Sequence, residues 1–190
     1  MAIVGLSKPF CAKYSNEGSA VTYSDLAALG KAVQAEITLN DAEQIILYAD
    51  NAPAEVASGF SGGTLRLQID ELSIANAGKI LGLTPASSSS PAGSVIKMTA
   101  NDVAPYVGLG LVVKKMVAGT PKWLGIVLYK VQFRIPNDNI TTQGETIAFQ
   151  VPELNATIMR DDTADAKWKA WGEFSAEADA VAWMNSELTT

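Results

Sequence analysis

The chain of 190 residues contains no histidine, and that absence removes more chemistry than any motif adds. Serine–histidine and cysteine–histidine nucleophile pairs are gone, with the commonest general base and nearly every histidine-based metal site. Cys11 is the only cysteine, so there is no intrachain disulfide and no cysteine zinc cluster; it reads as a small apolar filler on a first strand. Carboxylates remain, in the clusters Asp161-Asp162-Asp165 and Asp70-Glu71, and a glycosidase needs two. Both clusters fall beside expected turns and helix starts, where solvated capping explains them better. Gly59 to Gly63 is not followed by the Lys-Ser/Thr pair of a phosphate loop. Asn137-Asp138-Asn139 lacks the EF-hand spacing and its closing glutamate, and reads as a β-turn. The expectation is a protein that is not an enzyme and needs no cofactor or metal. Trp168, Trp171 and Phe174 recur every three residues before the last helix. A sugar platform uses such residues, so a carbohydrate-binding or adhesion β-domain is the alternative class; packing of the helix onto a sheet is preferred.

These residues must be positioned by a chain that reads as mainly strand. Leu65, Leu67 and Ile69 alternate with Thr64, Arg66, Gln68 and Asp70, one apolar face and one wet. Before them, Ile45 to Tyr48 predicts a strand buried on both faces, followed by a polar loop over Asp50 to Glu55. After them the period changes to that of a short helix. Ser73 is its N-cap, Ile74, Ala77 and Leu81 its stripe, and Gly82 its C′ residue. Tyr106 to Val117 and Trp123 to Ile135 form two long arms around a turn at Gly119-Thr120-Pro121. Regular alternation in the second arm puts Trp123, Gly125, Val127, Tyr129, Val131, Phe133 and Ile135 on one face. Gly108 and Gly110 weaken the first arm unless something bulky approaches closely there; a bend or bulge explains them equally well. Further strands are expected at Lys8 to Tyr14, Gly30 to Leu39 and Glu145 to Met159. The last changes phase near Pro152, after which Leu154, Ala156 and Ile158 form the apolar set. A final helix starts near Ser175, with Ala176, Ala180, Trp183 and Glu187 on one side and Met184 and Leu188 widening the apolar stripe. Thr84 to Ser94 is of low complexity and reads as a flexible loop.

Length fits one domain, residues 1–190, with an N-terminal arm about 1–8 and the loop about 84–94. The fold class expected is α+β. It is mainly antiparallel β, a sandwich or half-barrel of long strands, with one short helix and a C-terminal helix packed on the sheet. Met1 to Phe10 does not read as a signal peptide, and no apolar run approaches the ~20 residues of a membrane span. Asn139-Ile140-Thr141 and Asn155-Ala156-Thr157 resemble glycosylation acceptors and read as chance. Acidic residues outnumber basic ones, 20 to 14, which leaves no basic surface to hold nucleic acid through its phosphates.

The order of parts from Gln44 to Ser73, QIILYADNAPAEVASGFSGGTLRLQIDELS, resembles the major tail proteins of long-tailed bacteriophages. The opening, AIVGLSKPFCAKYSNEGSAVTYSDLAALGKAVQAEI, and the closing WKAWGEFSAEADAVAWMNSEL are similar to that family's first strands and last helix. The resemblance implies a structural protein that self-assembles into stacked hexameric rings, the tail tube that conducts DNA at ejection. It would be assembled in the host cytoplasm and located in the virion tail. Its implied partners are copies of itself, the tape-measure protein, tail-end proteins and DNA in transit. For such a tube a neutral or acidic wall is sensible, because attraction to phosphate creates friction. The lumen-facing candidates are Gln34, Glu36, Thr38, Arg66, Gln68 and Asp70. Intersubunit candidates are Asp50, Asn51, Glu55, Ser87, Ser88, Gly108, Gly110, Trp168 and Trp171.

Overall fold

The structure, a computed structural model, describes residues 2–17, 20–40, 45–49, 52–57, 59–89, 92–137, 140–142 and 150–189. The elements in chain order are β1 (Ala2–Glu17), β2 (Ala20–Ala28), β3 (Ala32–Leu39), β4 (Ile45–Ala49), β5 (Ala52–Ala57), β6 (Gly63–Ile69) and α1 (Ile74–Leu81). There follow β7 (Ala86–Ser89), β8 (Ala92–Val95), β9 (Tyr106–Val117), β10 (Thr120–Phe133), β11 (Glu153–Met159), β12 (Lys169–Phe174) and α2 (Glu177–Glu187). The large sheet runs β2-β1-β9-β10-β11-β6-β3, with β12 pairing the first half of β10. Every one of its pairings is antiparallel. Mainly antiparallel β with two helices, one of them C-terminal, is thus what the chain forms. The sheet curls until β3 packs against β1.

Alternation determines which side chains enter the core. Leu65, Leu67 and Ile69 of β6 and Leu154 and Ile158 of β11 are at most 1% exposed. They meet Ile80 and Leu81 of α1 and Leu109 and Leu111 of β9 in one cluster. Each such burial is worth about 1.5–3 kcal/mol. A second cluster lies on the other side of the sheet, where Ala180 and Met184 of α2 and its C-cap Leu188 cover Ala12, Val112, Val127 and Tyr129. The helix starts at Glu177 with no side-chain cap at Ala176; Glu177 and Asp179 instead supply negative charge to its first turn. At α1 the expected ends are in place. Ser73 Oγ accepts from the Asn76 N–H, and Gly82 adopts a left-handed φ of 71°.

Several expectations change. Trp123 to Ile135 does not keep one face: the β9–β10 register shifts between Leu128 and Val131. Val127 and Tyr129 therefore face α2, while Val131 and Phe133 enter the α1 core. One extra residue suffices, because side-chain direction in a strand has period two. The strand expected at Ile45 to Tyr48 is present as β4, yet among the described residues its only partner strand is β5, in a stretch expected to be loop. Asp50 and Asn51 lie outside the described residues. The expected loop at Thr84 to Ser94 contains the hairpin β7–β8, with Ala86 opposite Val95 and Ser87 opposite Ser94. Residues 2–7, expected as an arm, pair with β9 from Ala2 opposite Met116 to Ser7 opposite Val112. Ala20–Ala28, not expected as a separate strand, is the edge strand β2.

Candidate functional site

The wet faces of β3 and β6 are one surface. Gln34 lies opposite Gln68, Glu36 opposite Arg66 and Thr38 opposite Thr64. Across β6, Arg66 faces Asn155 and Gln68 faces Glu153 on β11. Apolar partners on the inner face turn all these side chains outward, on the side of the sheet that α2 covers further along. Five of the six lumen candidates, Gln34, Glu36, Thr38, Arg66 and Gln68, are thereby brought together.

Glu153 is the hub of this surface. Its Oε2 is 2.6 Å from Arg66 Nη2 and 3.4 Å from Gln68 Nε2, and its Oε1 accepts from Asn155 Nδ2 at 3.2 Å. These donors, Arg66 foremost, pull the Glu153 carboxyl down to about 2. At the β10 end Arg134 Nη2 donates to Thr157 Oγ1 at 3.4 Å. Glu153, Asn155 and Thr157 were missed as site residues, although their alternation with Leu154, Ala156 and Ile158 carries the signal. Asp70 departs from the group. Its Oδ1 accepts the backbone N–H of Lys31 at 2.7 Å and of Glu71 at 2.9 Å, and these bonds hold its carboxyl below the usual range. It ties the start of β3 to the end of β6.

The other candidates are dispersed. Gly108 and Gly110 are buried beneath α2: a Cβ at Gly108 would lie 2.5 Å from Leu188 Cδ2, and one at Gly110 would overlap the Met184 side chain. The close approach they demand is therefore made within the chain. Trp168 stacks on Phe60 with ring centroids 4.3 Å apart, and Phe174 contacts Trp183 at 5.6 Å. Trp171 alone of the three is largely exposed, at 68%, with Lys169 Nζ 4.7 Å from its centroid. Lys169 Nζ also lies 5.9 Å from the Trp168 centroid, while Phe174 packs into the α2 cluster. Ser87 is exposed on β7, and Ser88 lies opposite Gly93 in the β7–β8 hairpin; Glu55 lies in β5 opposite Leu47.

The carboxylate clusters have structural work. Asp161 is buried rather than solvated, and its Oδ1 accepts from Thr163 Oγ1 at 2.8 Å and Thr163 N at 3.3 Å. Asp162 Oδ2 binds Lys130 Nζ at 2.6 Å and the Tyr14 hydroxyl at 2.8 Å. Lys130 also lies over the rings of Tyr14 and Tyr106. Among the described residues there is no group of three metal-ligating side chains, and no helix is long and apolar enough to cross a membrane. No protein-family model matches the chain, and no curated protein matches it.

Proposed function

We propose that this chain is a structural subunit that assembles with its own copies into stacked hexameric rings, the tail tube of a long-tailed bacteriophage. The observation that carries this reading is the pair of sheet edges, β2 at one end and β3 at the other, that have no further strand partner among the described residues. The β3 edge, AVQAEITL, holds one charge and no lysine or proline, whereas proteins that remain monomeric blunt such edges with these residues. β2 is nine residues long, and Asp25 is its only charge. Pairing β2 of one copy with β3 of the next is a head-to-tail contact, and such contacts close into rings when the rotation permits.

The polar face of β3, β6 and β11 is then the candidate lumen wall. Its charges on those strands, Glu36, Arg66 and Glu153, leave no basic stripe to grip phosphate. The β4–β5 hairpin, which among the described residues pairs with no strand of the large sheet, is the candidate for ring-to-ring contact, and the β7–β8 hairpin is a second candidate for this role. Tape-measure protein, tail-end proteins and transiting DNA are the partners of this reading, and the virion tail its place. Negative-stain images of purified protein at rising concentration are the test. Rings or tubes with a central hole are expected; a strict monomer at high concentration, even with tail extract added, overturns the reading.

A further inference from the structure

A cleft of about 500 Å³ opens between α1, β1 with β2, and the chain leading into β9. Its apolar wall includes Cys11, Leu83, Pro105 and Val107. The face that α1 turns toward it carries Ala75, Gly78, Lys79 and Gly82, at the i, i+3, i+4 and i+7 spacing of one helical face. Gly78 and Gly82 let the following chain approach closely, since a Cβ at either would lie 2.8 Å from a backbone carbonyl oxygen, of Leu83 and of Val103 respectively; Ala75 is exposed. Lys13, Asp25 and Lys79 also border the cleft, and none of the three forms an ion pair among the described residues.

Asp25 is brought to this position by a bulge. Cys11 pairs with Ala27 and Lys13 with Ser24, so Asp25 and Leu26 stand against Ala12 alone. Asp25 takes a φ of 56°, uncommon for a residue other than glycine and a strain the surrounding strands must hold. Ligand pockets have about this volume, an apolar lining and a few convergent polar groups.

We infer that the cleft binds a small amphiphile, an aliphatic chain ending in a single carboxylate, with the chain along the apolar wall and the headgroup between Lys13 and Lys79. Two ammonium groups against one carboxylate favour a monoanion. Asp25 works against a dianionic phosphate, whose second charge would meet its own. Burial pushes the Cys11 thiol up to about 11, against a smaller opposing effect of Lys79, so the thiol is neutral at pH 7 and belongs to the apolar wall. The site lies within one chain and does not depend on the tail-tube reading.

Titration calorimetry of the full chain with decanoate, decanol and decyltrimethylammonium tests it. Decanoate is expected to bind saturably at one per chain, decanol about fivefold more weakly, and the ammonium not at all. Changing Lys13→Gln with Lys79→Gln should bring decanoate to the level of decanol and leave decanol unchanged. Ala75→Trp, on an exposed helix position, should fill the cleft and abolish both, with the melting curve confirming the fold. Absence of saturable binding, or an ammonium that binds as well as the carboxylate, overturns the inference. An acidic aliphatic peptide that binds tenfold more tightly than decanoate also overturns it, in favour of a peptide groove.

Discussion

Glycines 108, 110 and 125 mark where α2 descends onto β9 and β10: a Cβ at Gly125 would lie 2.9 Å from the Trp183 ring. Gly110→Ala should destabilise the fold by about 1–3 kcal/mol, the usual cost of overpacking. Met184→Ala should cost about 2–5 kcal/mol through the cavity it leaves. Because the added methyl occupies part of that cavity, the double variant should cost less than the sum in denaturant unfolding; strict additivity would place Met184 away from Gly110. A second residue-scale prediction concerns Glu153, whose carboxyl is lowered from 4.5 to about 2, first by Arg66 and then by Asn155. A lowered acid contributes stability that is complete above pH 4.5 and disappears as pH falls toward 2. Glu153→Gln should therefore lower stability above pH 4.5 by a constant amount and reduce the slope between pH 4.5 and 2, where Asp70, Asp162 and Glu173 still contribute. An unaltered slope between pH 4.5 and 2 would mean that the Arg66 contact is not made in solution.

At the scale of elements, α1 is a helix of eight residues held by its ends, and each end can be tested. Ser73→Ala should cost about 1 kcal/mol through the lost cap. Gly82→Ala should cost more, because alanine is strained at φ 71° and its Cβ would come 2.8 Å from the Val103 carbonyl oxygen. Thermal melting decides, and equal losses would contradict the geometry. This helix and β6 were legible in the sequence because each shows a single period with its stop signals, Ser73 and Gly82 for one and Gly63 for the other. The outward set on β11 was legible too once Leu154, Ala156 and Ile158 defined the inward one. The β10 bulge was not, since an inserted residue leaves the apolar letters in place and changes only where they point. β7 and β8 escaped because a Ser- and Ala-rich hairpin is held by backbone pairing and carries no apolar alternation. β2 was obscured by Ser24-Asp25, a turn-like pair inside a strand. The gathering of Glu36, Arg66 and Glu153 depends on which strands are neighbours, and one strand's alternation carries no information on that.

For the molecule as a whole, the edge strand β3, with one neighbouring strand among the described residues, is the feature to perturb. Val33 and Leu39 on β3 are 53% and 46% exposed, so Val33→Lys with Leu39→Lys should leave the monomer's melting temperature nearly unchanged while placing charge on the pairing edge. Sedimentation should then show monomers under conditions where the unaltered chain is expected to form rings; rings of normal size would exclude β3 as the contact. The topology also bears on how the chain is made. β1 lies between β2 and β9 in the sheet, yet about a hundred residues separate the end of β1 from the end of β9. At roughly 5–20 residues per second on the ribosome, the β1–β2 hairpin waits about 5–20 s for its inner neighbour, with a two-stranded ribbon's marginal stability in the meantime. The layer over Gly108 and Gly110 comes later still, because α2 follows every strand. Vectorial synthesis therefore presents the bare face of β9 and β10 to the cytosol before its cover exists. The nascent chain is most prone to wrong pairing in that interval, and a chaperone that binds extended apolar segments would act there.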